Sequence, residues 1–324
     1  MKTNILITSA GRRVSLVRFF KNDLQRIIPG AKVYTAEMNP EWSAACRSSD
    51  GYFFLPRVTD SNYIEKLLEL CIREKIGLVV PTIDTELLTI AANKHLFSTY
   101  GISLAVSDFL LVSICRDKRD TNNFFSELGI DIPKSVDKYN PSFPLFVKPY
   151  DGSLSKDILH IKNESEWSNA LLNNEKLMFM EYLDPIDFQE FTVDMYFNKD
   201  GILKCLVPRR RIEVRGGEIS KGRTEKGALF ESLKSKFSHI PGARACLTMQ
   251  FFEHRVSGRI VGIEINPRFG GGYPLSYASG ACYPKFLIEE YLLKKEIPIY
   301  EDWDDQIVML RYDSEIIFNG EDFS

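Results

Sequence analysis

The sequence predicts a mixed fold: an N-terminal α/β domain built on a parallel sheet, then an α+β region dominated by strands. Three observations carry that reading. Residues 1–115 alternate short apolar runs with helix-period stretches, as expected of a parallel sheet covered by helices on both faces. From Pro133 to about Pro267, strand-like segments outnumber helical ones. The length of 324 residues suits about two domains, and a hydrophobic fraction of 44% is enough for a sizeable core.

In the first region, Asn4–Thr8 reads as a strand, Ser9-Ala10-Gly11 as a turn and Val14 to Ile27 as a helix. Lys32–Ala36 reads as a strand, Tyr63–Lys75 as a helix and Gly77–Pro81 as a fully buried strand. Leu87–His95 is expected to be helical and Ile102–Ala105 extended. Ligands on such sheets sit beyond the carboxyl ends of the strands. Those ends carry Ser9 to Arg12, Glu37 to Asn39 and Thr82 to Glu86, which makes Asp84 and Glu86 candidate substrate contacts.

After Gly129, a plausible helix C-cap, the strands are expected at Leu145–Lys148, Ile158–Ile161, Leu177–Glu181, Glu190–Phe197, Leu203–Val207, Cys246–Phe252 and Arg259–Asn266. Helices are expected at Glu164–Asn173 and Leu229–Ser238. The change of style places a boundary near residues 113–118. The stretch from 301 onward holds eight acids and one base, Arg311, and reads as a solvated flank of a short final element.

A formal net charge of -3 leaves no global footprint for nucleic acid or a membrane surface. No apolar run approaches the roughly 18 residues of a membrane span. The first residues do not read as a signal peptide. Six scattered cysteines, with no CxxC pair, fit a reducing compartment rather than a disulfide scaffold. The expectation is a cytoplasmic protein that acts on small molecules, with neither nucleic acid nor membrane as partner, and a homodimer only by base rate.

The most informative stretch runs from Cys246 to Gly272. Two strands flank the turn-like His254–Gly258. Alternation puts Gly262, Glu264 and Asn266 on one face and Ile263 and Ile265 on the other. A hairpin folded about Ser257 sets Gln250 across from Glu264 and Thr248 across from Asn266, while Met249 and Phe251 meet Ile265 and Ile263. A carboxylate and two amides then converge, an oxygen environment suited to Mg²⁺ that also binds phosphates. Arg268 follows as a planar donor for a phosphoryl or carboxylate group. The same pattern also fits the polar outer face of an edge hairpin.

Lys148 ends an apolar strand and opens into the small-residue loop Asp151–Asp157, whose backbone and hydroxyls, Ser153 and Ser155 among them, suit phosphates. Lys118 stands at a helix start among charges, where a solvated role is the ordinary one. Met178–Leu183 is an apolar strand ending in an acid, and Glu190, Thr192 and Asp194 share one face of the next strand. Pro208–Lys226 holds seven bases and three acids, with Gly216-Gly217 suited to a hairpin turn. Arg209, Arg211 and Arg215, at even spacings of two and four, would line one face and grip a carboxylate substrate. A solvated hairpin or a nucleic-acid contact are the other readings of that arm.

Taken in order, the lysine at a helix start, Val147-Lys148-Pro149, Met180-Glu181-Tyr182-Leu183, Gln189-Glu190-Phe191-Thr192-Val193 and Glu264-Ile265-Asn266-Pro267-Arg268 resemble the ATP-grasp superfamily over nearly the whole chain. Glu264 to Arg268, followed by Gly270-Gly271-Gly272-Tyr273-Pro274, looks most like the carbamoyl-phosphate-synthase branch. The resemblance implies a pre-ATP-grasp domain at 1–115, a small subdomain at 116–186, a large subdomain at 187–300 and an acidic extension at 301–324. It implies ATP and Mg²⁺, with Mn²⁺ as a possible substitute, and ADP-forming ligation of a carboxylate to an amine. By resemblance, Lys118 and Lys148 contact ATP phosphates, Glu181, Tyr182 and Leu183 form the hinge that reads the adenine, and Glu190 binds the ribose. Glu264, Asn266 and Gln250 would ligate the metal, and Arg268 would stabilise the transferring phosphoryl group. Two departures stand out: Asp151–Asp157 lacks the family's second glycine, and a single ATP-grasp unit argues against making carbamoyl phosphate from bicarbonate. An oxidoreductase is disfavoured because Ser9-Ala10-Gly11 lacks GxGxxG, although Glu37 could mimic a ribose-binding acid. A non-catalytic MgATP sensor is the remaining alternative.

Overall fold

The computed structural model describes residues 2–152 and 158–320. Five parallel strands, β1 (Asn4–Thr8), β2 (Val33–Glu37), β3 (Tyr52–Phe54), β4 (Ile76–Pro81) and β5 (Ser103–Leu104), form an N-terminal sheet in the order β3-β2-β1-β4-β5. β4 is buried at every position, as a central strand covered on both faces should be. The helix Val14–Ile27 packs one face through Leu16, Val17, Phe20 and Leu24. The helix Tyr63–Arg73 packs Leu67 and Leu70 into a second cluster with Leu6 and Val79. The strand β3 was not expected from the sequence; it is three residues long and carries no fully buried side chain.

Three antiparallel strands follow: β6 (Leu145–Pro149) lies between β7 (Leu159–Ile161) and β8 (Leu177–Glu181). Their small core of Leu145, Val147, Ile161 and Phe179 is separate from the main one. The helix expected at Glu164–Asn173 is broken into a 3-10 turn, Glu164–Glu166, and one helical turn, Asn169–Leu172. Trp167 sits in the break with its ring edge-on to Phe143 and Phe179, so packing of this small core overrides helix propensity.

The central antiparallel sheet has six strands in the order β13-β12-β9-β10-β11-β14. These are β9 (Phe188–Phe197), β10 (Leu203–Arg215), β11 (Glu218–Thr224), β12 (Ala245–His254), β13 (Ile260–Asn266) and β14 (Val308–Leu310). β10 runs eight residues past the expected end at Val207. Gly216 and Gly217, with φ of 59° and 79°, close it tightly onto β11. The main core is continuous from Ile5, Ile7 and Phe20 under the parallel sheet to Phe191, Val193, Met195 and Phe251 under the central one. One packed body therefore fixes the carboxyl ends of β1 and β4 relative to β12 and β13.

The β12/β13 register pairs Thr248 with Asn266, Met249 with Ile265 and Gln250 with Glu264. Beyond Gln250 a bulge intervenes, and Phe251 faces Gly262 rather than Ile263. Gly262 thus departs from the expected Glu264 face. A Cβ there would lie 2.6 Å from the Phe125 ring, on the apolar side. The acidic tail also differs from a solvated flank: Trp303 is 1% exposed, and β14 extends the central sheet along β11.

Candidate active site

β9, β12 and β13 carry one polar set. Asn266 Nδ2 donates to Glu264 Oε1 at 3.0 Å, and Gln250 Nε2 donates to Glu190 Oε1 from the neighbouring strand. Glu190 also pairs with Arg211 Nε at 3.1 Å. Burial, reinforced by the charge of Glu264, raises the Glu190 pKa above the ordinary glutamate value. Two half-buried carboxylates with two amides invite a cation among them.

That cation is partly supplied by lysines. Lys148, on β6, is 7% exposed, and burial pulls its pKa down to about 8. Glu264 opposes the shift and the Lys118 ammonium adds to it. Lys118 begins the helix Lys118–Glu127, capped by Asp117, whose side chain accepts from Arg119 N at 2.8 Å. Its Nζ donates to the carbonyl of Gly152, burial lowers its pKa, and Glu264 again opposes. Both lysines therefore face one carboxylate.

Past β13 the chain turns so that Arg268 Nη2 donates to Asp84 Oδ2 at 2.8 Å and to Asn266 Oδ1 at 3.2 Å. Asp84 follows β4, so the expected carboxyl-end crevice of the parallel sheet opens onto the β12/β13 hairpin. The structure thus links Lys118, Lys148, Glu190, Gln250, Glu264, Asn266, Arg268 and Asp84 in one neighbourhood. Among the described residues no group of three or more His, Cys, Asp or Glu could by itself hold a metal ion. The oxygens of Glu264, Asn266 and Gln250 fit Mg²⁺ only where phosphates complete its shell.

Other expectations are corrected. Arg209 does not reach solvent: with 1% of its side chain exposed, it donates from Nε and Nη2 to Asp194 at 2.8 and 3.0 Å. Asp194 accepts further from Thr248 and Ser276, so this arginine is tied into a buried network. Arg211 belongs to Glu190. Arg215 pairs with Asp313 at the exposed hairpin end, because register shifts between Arg211 and Val214 break the alternation assumed for the three arginines. Glu86 is fully buried and accepts from Thr82 N, Ile83 N, Ser9 Oγ and Tyr63 OH, so both its oxygens are engaged in shaping the end of β4. The Glu181 side chain pairs with Arg259 at 2.7 Å and accepts from Lys134 N at 3.0 Å, which leaves only its backbone for a hinge contact. Tyr182 stacks on His160, with centroids 3.8 Å apart, and Leu183 follows it. Ser153 and Ser155 lie outside the described residues.

Sequence reasoning missed Arg13 and Arg311. Arg13 donates to Phe269 O and Thr82 O at 2.9 and 3.0 Å. Burial, with Arg268 adding to it, lowers its pKa to about 10, while Glu218 and Asp84 raise it. Arg311 donates to Glu218 Oε2 at 2.6 Å and to Gly271 O. The signals were a paired Arg12-Arg13 after a strand-end turn and a lone base in an acidic tail. Glu37, for its part, accepts from Gly11 N. The first-turn N–H that a dinucleotide pyrophosphate needs is therefore taken, which counts against an oxidoreductase.

Residues 5–105 match the family described as PylC-like, N-terminal domain, and residues 173–310 match ATP-grasp in the biosynthetic pathway with Ter operon. Among solved structures, the biotin carboxylase domain of 2-oxoglutarate carboxylase from Hydrogenobacter thermophilus, solved with MgADP, ADP and bicarbonate, is 14% identical with a TM-score of 0.69; 94% of this chain and 73% of that one are covered. The L-amino acid ligase of Bacillus licheniformis is 15% identical with a TM-score of 0.66, covering 90% and 74%. N5-carboxyaminoimidazole synthetase of Staphylococcus aureus, solved with ADP, is 14% identical with a TM-score of 0.67, covering 91% and 78%. No curated protein matches the sequence. The fold is the one these solved structures share. The family-model matches are to a PylC-like N-terminal domain over the parallel sheet and to an ATP-grasp family over most of the central sheet. No helix among the described residues is long and apolar enough to cross a membrane.

Proposed function

We propose that this protein is an ADP-forming ligase that joins a small-molecule carboxylate to an amine. The observation that carries the reading is the junction of Arg268, Asn266 and Glu264 on the hairpin with Lys118 and Lys148 on one side and Asp84 on the other. Lys118 and Lys148 hold the ATP phosphates, and the backbone of Glu181 to Leu183 reads the adenine. Glu190 takes the ribose hydroxyls. Glu264, Asn266 and Gln250 hold Mg²⁺, which when bound draws charge off the transferring phosphoryl group.

Arg268 positions the acceptor carboxylate and stabilises the acyl phosphate formed when its oxygen attacks the γ-phosphorus and ADP leaves. The amine then displaces inorganic phosphate from the carbonyl carbon and loses a proton, giving an amide. The Glu264-Ile265-Asn266-Pro267-Arg268 stretch supports a carbamoyl-phosphate-synthase-like phosphoryl transfer, with an organic carboxylate in place of bicarbonate. The test is nucleotide release from MgATP across pooled carboxylates and amines, with the product identified by mass. ADP that requires both pools is the expected result. AMP would overturn the acyl-phosphate route, and tight MgATP binding without turnover would favour a sensor.

A further inference from the structure

A cavity of about 350 Å³ opens between the N-terminal domain and the central sheet, lined among others by Lys94, Lys199, Arg244 and Tyr291. Ile102 and Leu104 form its apolar wall where β5 begins. It therefore lies at the amino ends of the parallel strands, opposite the carboxyl end of β4 where Asp84 meets Arg268.

We propose that this cavity is a second ligand site, for a small phosphate-bearing metabolite. The proposal is independent of the ligase reading. Its charges are under-compensated. Lys94 pairs with Asp108 Oδ1 at 2.7 Å, and Arg244 Nη2 stands 3.6 Å from Oδ2 of the same carboxylate. One acid thus serves two cations. Lys199 Nζ has no hydrogen bond or ion pair among the described residues; burial lowers the Lys294 pKa and the Lys199 charge adds to that shift. The nearby Glu290 is already committed, accepting from Tyr196 OH at 2.7 Å and Lys199 N at 2.8 Å.

Tyr291 points to a ligand independently of the charges. It is 7% exposed, lines the cavity, and its buried hydroxyl has no hydrogen-bond partner. A buried unpaired hydroxyl destabilises the free protein and becomes a donor once an acceptor enters. Burial, with Glu290 beside it, holds the phenol well above its ordinary pKa, so it stays protonated. Lys94 also donates to Val106 O at 3.1 Å and Arg244 Nη1 to Ala243 O at 2.7 Å, yet two ammoniums, a guanidinium and a phenol still offer more donors than Asp108 and these two carbonyls can use. A phosphate accepts from all of them, and the volume leaves room for an organic body against Ile102 and Leu104.

The probe is inorganic pyrophosphate, titrated calorimetrically into the intact chain and into a Lys118→Ala/Lys148→Ala variant whose ATP-phosphate contacts are gone. Tyr291→Phe removes only the unpartnered hydroxyl, so the fold is unaffected; it should weaken binding by roughly three- to tenfold in both backgrounds. Lys199→Gln should weaken it further, whereas Lys66→Gln, at a distant exposed ion pair, should change nothing. The site is overturned if pyrophosphate binding disappears with Lys118→Ala/Lys148→Ala, or if Tyr291→Phe and Lys199→Gln bind as the parent does.

Discussion

Burial sets how Lys148 behaves at the site. Its ammonium is drawn out of water, and Glu264 recovers only part of the lost solvation, so its pKa falls to about 8. A neutral amine holds phosphate poorly, and MgATP affinity of the free protein should therefore drop as pH rises from about 7 to 9. Lys148→Arg, which stays charged throughout that range, should flatten the profile; calorimetry at several pH values reads both. The same shift acts on stability. Below about 8 the folded and unfolded chains both hold this proton, so the group contributes no pH dependence. From about 8 towards the ordinary lysine value of 10.5 only the unfolded chain keeps it, so this group alone makes stability rise with pH. Arg209 provides the contrasting case. Its pairing with Asp194 is buried on both sides, and Arg209→Ala would leave that carboxylate uncompensated. Chemical denaturation should show a loss of about 3–5 kcal/mol. A fully stable variant with a raised KM for the acceptor would return Arg209 to the substrate-binding set.

At the level of elements, one bulge decides which way β13 presents its residues. The extra residue, Ile263, leaves Gln250, Glu264 and Asn266 on the polar side and brings Gly262 against Phe125. That ring is itself packed on Phe237 and Phe251 and has nowhere to retreat. Gly262→Ala should therefore cost about 1–3 kcal/mol of stability, measured by urea titration, with MgATP binding retained in the folded fraction. An unchanged midpoint would mean the helix Lys118–Glu127 yields easily. The paired positions Thr248/Asn266 and Gln250/Glu264 were legible in the sequence because period-two alternation fixes both faces of a hairpin at once. The bulge was not legible, since an inserted residue leaves no mark on apolar periodicity. The arginine arm failed for the same reason: register shifts after Arg211 undo a spacing that looks regular in sequence. Arg209 failed for another, because its burial depends on Asp194, Thr248 and Ser276, which only the fold gathers together.

Across the whole molecule, four separate stretches converge on Arg268 and the residues just after it. Arg13 and Asp84 come from the parallel sheet, Glu218 from the edge hairpin and Arg311 from beyond β14. Alternating strand and helix forecast the first two regions, but nothing in an acidic tail forecasts that its single base returns to Gly271. On the proposed reading, that contact separates nucleotide binding from acceptor binding. Lys118, Lys148 and Glu264 depend on β6, β13 and the helix Lys118–Glu127, none of which Arg311 touches. Gly271 and Glu218 stand instead on the Arg13–Asp84–Arg268 side, where the acceptor is proposed to bind. Arg311→Ala should leave MgATP affinity within about twofold while raising the acceptor KM or lowering kcat by about tenfold or more, the loss expected for one charged hydrogen bond. Titration of MgATP and steady-state kinetics on the same preparation separate the two effects. An equal loss in both would show that the tail supports the fold as a whole and not the acceptor side of the cleft.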